Sequence, residues 1–366
     1  MIDAIDLLTK LVSIASPSLH EAKAAAYLAG WMNAHGLRAH IDAVGNAVGI
    51  KGSGPQEILL LGHIDTFPGE VPLRHEGDLL YGRGSVDAKG PLCTFAAAAA
   101  QVNVAAGWRI TVVGAVEEEV ATSRGARYIL SQRLAESGQD RLPQPAYCII
   151  GEPSNWDRIT LGYKGRLLMD IALRVPFSHS AGEGALPAEQ GVFLWQEIKV
   201  FCEATNEARN ASSAFSRLDP ALRHISSQDE GAFGTVKLGL GFRLPEELTP
   251  SDLEQQLRTM TNSLPADIIA EVYFSGGEMA YKSGKSNSLV RAFLASIRDM
   301  AGTPRFVLKT GTADMNVVGP HWPDTPIVAY GPGDSSLDHT PNEHIDLKEY
   351  LRAIEVLSQT LRRLMG

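Results

Sequence analysis

The chain has 366 residues, 44% hydrophobic and 20% charged, proportions that exclude a disordered, collagen-like or disulfide-stapled protein. Its 33 basic and 42 acidic residues leave a net charge of −9. With no Lys/Arg-rich run, that argues against a nucleic-acid partner, which requires a basic patch to neutralise phosphates.

The N-terminus, with Asp3, Asp6 and Lys10 set among apolar residues at helical spacing, predicts an amphipathic helix and not a signal peptide. Next come short apolar runs that each end in a potential ligand. Ile58-Leu-Leu-Leu-Gly62 leads into His63-Ile-Asp65, and Ile110-Thr-Val-Val-Gly-Ala-Val116 into Glu117-Glu118-Glu119. Ala146-Tyr-Cys-Ile-Ile-Gly151 leads into Glu152, and Pro326–Gly333 into Asp334, with His339 just beyond. Such runs read as strands buried on both faces. Helices are predicted between them over Pro91–Ala106, Gly125–Ser137 and Ser288–Ala301. The stretch Pro91–Trp108 is broken by Gln101 and Asn103, so it suits a packed interior helix and not a membrane span.

Alternating strands and helices predict an α/β fold with a doubly wound sheet, whose ligands bind outside the carboxyl ends of the strands. From Leu161 to about Phe274 the acid-terminated strands stop. Strands are predicted at Leu167–Val175 and Gly234–Leu244, helices at Pro187–Asn206 and Thr249–Leu264, and a long loop over Asn206–Gly231. The resulting division is a catalytic domain of residues 1–160 and 276–366, interrupted by an α+β domain of residues 161–275. Three scattered cysteines, Cys93, Cys148 and Cys202, make no disulfide framework and point to the reducing cytosol.

His63, Asp65, Asp87, the three glutamates, Glu152 and His339 make an imidazole and carboxylate set without thiolate, which suits zinc, cobalt or manganese in a hydrolytic site. Five ligands sharing one carboxylate would hold a metal pair. Taken singly, each has an ordinary reading: a core or surface histidine, a solvated acidic turn. Asp87 lies in Gly82-Arg-Gly-Ser-Val-Asp-Ala-Lys-Gly90, where three glycines signal unusual backbone geometry. A phosphate loop is the rival there, yet neither a dinucleotide nor a Walker pattern fits, and Gly284-Lys285-Ser286 lacks the Walker glycine at Met279.

Taken together, His63-Ile-Asp65-Thr66, Gly82–Gly90, Glu117–Glu119, Gly151-Glu152-Pro153-Ser154 and His339 resemble the dizinc aminoacylase and carboxypeptidase family. That family includes acetylornithine deacetylase and succinyl-diaminopimelate desuccinylase. The resemblance implies a catalytic α/β domain with an inserted satellite domain that forms a homodimer. It implies two divalent ions, Zn²⁺ or Co²⁺: one held by His63, Asp87 and Glu152, the other by Asp87, Glu119 and His339. Asp65 would orient His63, and Glu118 would be the general base, with Glu117 the alternative if the register slips by one. His179, in Phe177-Ser-His179, would reach the partner's active site and stabilise the oxyanion. Arg243 would bind a substrate carboxylate or else pair on the surface. Gly311 and Thr312 would form a substrate-binding turn or else cap a helix.

Trp156, Gly162–Arg166, Lys309–Asn316, Tyr330–Asp334 and His339–His344 look closest to the lysine-biosynthesis deacylases. This likeness implies release of lysine or ornithine from a small N-acyl amino acid or from an acidic carrier protein's C-terminal glutamate. Alternatives within the family are deacetylation of acetylornithine or acetylcitrulline, succinyl-diaminopimelate desuccinylation and dipeptide hydrolysis. A non-catalytic metal-binding relative is the remote alternative.

Overall fold

The four apolar runs that precede the acids and histidines become the strands Gln56–His63, Trp108–Ala115, Tyr147–Gly151 and Ile327–Ala329. The structure is a computed structural model that describes residues 3–134, 142–177 and 186–366. In it the Gln56–His63 strand lies between Trp108–Ala115 and Tyr147–Gly151, and Ile327–Ala329 adjoins the latter, with all neighbours parallel. Their carboxyl ends therefore meet along one edge, where an open α/β sheet binds its ligands. From Glu57 to His63 every residue is buried, as expected for a strand covered on both faces.

Antiparallel strands flank this parallel centre. Arg38–Ile41 and Ala47–Gly52 lie on one side and Arg158–Tyr163 on the other, which makes the nine-stranded sheet mixed. The helix Lys89–Gln101 packs against the central strands, and Ala96 to Ala99 have no exposed surface. Small side chains there let the helix approach the sheet closely. This helix starts two residues before the predicted Pro91, because a proline is tolerated anywhere in a first turn whose N–H groups lack intrahelical partners. It ends at Gln101, well short of Ala106, where Val102 turns extended.

The amphipathic N-terminal helix forms over Ala4–Ser13 and buries Leu7, Leu8 and Leu11 completely. Each is worth about 1.5–3 kcal/mol relative to exposure. They join Phe95, Leu60, Phe293 and Tyr350 in one core.

The chain divides into two units: Met1–Gly162 with Lys282–Leu308 and Ala313–Gly366, and a smaller one of Tyr163–Tyr281 with Lys309–Thr312. The smaller unit carries a four-stranded antiparallel sheet in the order Asp219–Glu230, Phe233–Leu244, Gly165–Pro176, Ile269–Glu278. Alternation along Phe233–Leu244 buries Val236, Leu238, Leu240 and Phe242. These pack with Leu194 and Ile198 of the helix Pro187–Ala208 and with Leu253 and Leu257 of the helix Pro250–Asn262.

One expectation fails here. Asn206–Gly231 is not a long loop, because Asp219–Glu230 is a twelve-residue strand paired along Phe233–Leu244. As an edge strand its order comes from backbone pairing on one side, so it needs no apolar alternation, and its Ser- and Asp-rich composition mimics a loop. Among the described residues no helix is long and apolar enough to cross a membrane.

Candidate functional site

His63 ends its strand and is 1% exposed. Its Nδ1 lies 3.1 Å from the Asp65 backbone oxygen and 3.4 Å from Asp65 Oδ1. Its Nε2 faces the other way, 3.2 Å from Asp87 Oδ1 and 4.0 Å from Glu152 Oε1. Glu152 directly follows the neighbouring strand Tyr147–Gly151, so the parallel pairing brings the two side chains together.

Asp87 reaches both ways. Its second oxygen lies 3.1 Å from Nε2 of His339, which also sits 3.1 Å from Glu119 Oε2. The potential ligand atoms thus form two groups, His63–Asp87–Glu152 and Asp87–Glu119–His339, each converging within 4.8 Å. Five side chains with one shared carboxylate, and no thiol among them, fit a pair of hard to borderline divalent ions. Excess negative charge marks the same place. Asp87 and Glu119, bonded to the His339 ring, raise its pKa to about 10. Burial opposes charge on His63, yet Asp65 and Asp87 outweigh it and hold that ring well above the ordinary range. The His339 ring is also stacked on Phe67 at 4.2 Å, which fixes its plane.

The three glutamates part company. Glu117 sits at a positive φ of 62° and turns aside, accepting a hydrogen bond from Thr122 Oγ1 at 2.7 Å and lying 3.4 Å from Arg124 Nη1. Its N–H donates to Glu21 Oε1 at 3.2 Å. Glu119 stands against His339, and its Oε1 accepts the Phe67 N–H at 3.1 Å. Glu118 faces other acids: burial raises its carboxyl well above the ordinary range, and Glu152, Asp314 and Glu119 add to this against His63.

Asp65 is fully buried and ties these groups together. It accepts the Glu118 N–H at 3.1 Å, the Glu119 N–H at 3.0 Å and the Ser18 hydroxyl at 2.7 Å. Gly125 and Asn46 close the glutamate loop at its far end. Gly125 N–H donates to Val116 O at 3.0 Å, and the Val116 N–H donates to Asn46 Oδ1 at 3.0 Å. A Cβ on Gly125 would stand 2.5 Å from both Asn46 Oδ1 and Val116 N.

Sequence reasoning missed Asn46, Glu21 and Ser18. They belong to no ligand pattern, because they serve backbone groups or a neighbouring carboxylate.

Arg243, Gly311 and Thr312 belong to the smaller unit. There Arg243 Nη1 donates to Thr312 Oγ1 at 2.8 Å, and that hydroxyl donates to the Lys164 carbonyl at 2.9 Å. Thr312 is not a helix cap: the short helix Asp314–Val318 begins after Ala313. His179 lies outside the described residues.

The pattern of Peptidase family M20/M25/M40 matches residues 59–363. A relative named [LysW]-lysine hydrolase, from Deinococcus radiodurans, is 42% identical over 367 residues, covering 99% of this chain and 97% of its own. Among solved structures, the M20 family metallo-carboxypeptidase Sso-CP2 from Sulfolobus solfataricus superposes with a TM-score of 0.80 at 18% identity, covering 100% of this chain and 99% of that one. The Bacillus subtilis YXEP protein, a dinuclear metal-binding M20 peptidase, gives a TM-score of 0.70 at 10% identity, covering 99% and 97%. These two likenesses concern the fold.

Proposed function

This chain belongs to peptidase family M20/M25/M40, and from that premise we propose that it hydrolyses an amide to release lysine, or ornithine, from a carrier-protein-linked precursor. The observation that carries the chemistry is the pair of ligand groups sharing Asp87. Full-length similarity to the Deinococcus radiodurans enzyme supports the substrate. Ornithine stays in the reading because it is one methylene shorter, a difference worth only about 10–200-fold in a pocket.

In this reading His63, Asp87 and Glu152 hold one ion, and Asp87, Glu119 and His339 hold the other. Zinc or cobalt bound there would lower the pKa of a water and polarise the scissile carbonyl. Glu118 is the general base. Asp65 holds the Glu118 backbone beside the ligand Glu119, and the Glu118 carboxylate would take a proton from the attacking water and return it to the departing amine. Asp65 keeps the Nδ1 side of His63 engaged, which leaves Nε2 for the ion.

Arg243, steadied by Thr312 beside Gly311, binds a substrate carboxylate through its planar fork. His179 supplies a hydrogen bond to the oxyanion from a partner subunit. The smaller unit has apolar surface for a homodimer: Val192, Phe193 and Val200 are exposed on its long helix, and Ile269 and Tyr273 on its edge strand. Cys93, Cys148 and Cys202 are free and buried, which suits a reducing cytosol.

The test is release of free lysine and ornithine from the carrier-linked, γ-glutamyl-linked and N-acetylated forms under one set of conditions. Carrier-linked lysine should turn over with the highest kcat/KM. Equal or faster turnover of the N-acetyl form would make the chain a small-molecule deacylase. Silence on all three would discard the substrate reading.

A further inference from the structure

Asp87 and His339 are far apart in sequence, and both lie in loops. What brings them together is a three-stranded sheet outside the main one, in which His344–Asp346 pairs antiparallel with Leu79–Tyr81 and that strand pairs with Arg74–Glu76. His344 stands opposite Tyr81, and the antiparallel pairing continues one step further, where Glu343 meets Gly82: the Gly82 N–H donates to the Glu343 carbonyl at 3.3 Å. Strand pairing thus delivers Glu343, four residues after His339, to the mouth of the Gly82–Gly90 loop.

The Glu343 side chain then enters that loop. It is 1% exposed, a carboxylate buried beside a site already rich in acids. Its Oε1 accepts the Val86 N–H at 3.0 Å and the Asp87 N–H at 3.2 Å, and its Oε2 accepts from Arg83 Nη1 at 2.7 Å. Arg83 is itself anchored, with Nε donating to the Gly69 carbonyl at 3.0 Å. A buried carboxylate held by three donors is rigid, and breaking a buried pair of this kind is costly. One end of the clamp is the backbone of the shared ligand Asp87, and the other is the segment that carries His339.

We propose that Glu343 is a positioning residue for the metal pair: it locks the backbone of Asp87 against the His339 segment, and so sets the distance between the two ligands. This rests on the metal reading of the preceding section. Glu343 touches no ion in this account and acts only through Asp87 and its own chain neighbours.

The test is zinc affinity, measured by competition with a chromophoric chelator, together with the visible spectrum of the cobalt-loaded protein. Wild type must first bind two ions per chain; fewer would undo the metal reading, and the role of Glu343 with it. Glu343→Gln keeps the volume but turns an acceptor into an amide, and should weaken binding by about 10–100-fold and change the cobalt spectrum. Glu343→Asp keeps the charge but shortens the reach, and should weaken binding in the same direction. Glu57→Gln is the control, since it breaks an equally buried ion pair away from the ligands, with Arg133 at 3.0 Å. It should lower the thermal midpoint and leave zinc affinity unchanged. Unaltered affinity and cobalt spectrum in Glu343→Gln would overturn the proposal. If that variant does not fold, Glu343→Asp decides alone, and wild-type affinity there overturns the proposal equally.

Discussion

Asp65 accepts the backbone N–H of Glu118 at 3.1 Å while its own backbone oxygen lies 3.1 Å from Nδ1 of His63. One residue therefore orients a candidate ligand and places the candidate base. The arrangement follows from topology, because His63 and the glutamates leave adjacent parallel strands at the same edge. Asp65, two residues past the strand end, faces the next strand's exit.

Glu118→Gln tests the assignment of the base. It should lower kcat by about 10²–10⁴ while two ions remain bound and KM changes little. Glu117→Gln should lose less than tenfold in kcat, because that carboxylate is committed to Thr122 and Arg124. A larger loss from Glu117→Gln than from Glu118→Gln would reverse the two roles.

Asp65→Asn probes the carboxylate that holds the backbone of Glu118 and Glu119. An amide offers one acceptor where the Glu118 and Glu119 N–H groups and Ser18 now share two oxygens. Metal affinity, read by chelator competition, should fall about 10–100-fold. Wild-type affinity and rate in this variant would remove Asp65 from the account.

Thr312→Val tests the substrate carboxylate site without touching a charge. It removes the hydroxyl that accepts from Arg243 and donates to the Lys164 carbonyl. KM should rise several-fold at nearly constant kcat, and Arg243→Ala should raise it by about 10–100-fold, the worth of a charged hydrogen bond. Loss of kcat with unchanged KM would place Arg243 in the chemistry and not in binding.

Stability on the acid side depends on a pair remote from the site. Burial acts to raise the Glu57 carboxyl, but Arg133, Thr111 and Arg109 outweigh it and hold its pKa below the ordinary 4.5. A folded-state pKa below the unfolded one contributes stability that is complete above the unfolded value and is lost as pH falls through the folded one. Glu57→Gln should therefore cost about 3–5 kcal/mol at neutral pH, and the gap from wild type should narrow as pH drops below about 4.5. Urea midpoints measured across that range check both; a gap that stays constant with pH would mean Glu57 does not titrate in this way.

How much of this was legible in the sequence depends on what holds each residue. His63, the glutamates and Glu152 announce themselves, because a buried parallel strand is a continuous apolar run and the residue after it is exposed to the site. Asp87 and His339 sit in loops with no period, so only their residue types and the glycine-rich run around Asp87 marked them, and the family resemblance supplied their roles. Glu343 escaped altogether: its donors are two backbone N–H groups and Arg83, which leave no spacing to read. The Asp219–Glu230 strand was hidden for a related reason, since an edge strand is ordered by backbone pairing and its side chains are free to be polar.

In the proposed reaction, two ions bound through Asp87 drive the release of lysine. The most direct measurement is lysine release from the carrier-linked substrate by chelator-treated protein as zinc or cobalt is titrated back. No release is expected without metal, and activity should return and saturate near two ions per chain. Undiminished release from the metal-free protein would contradict it.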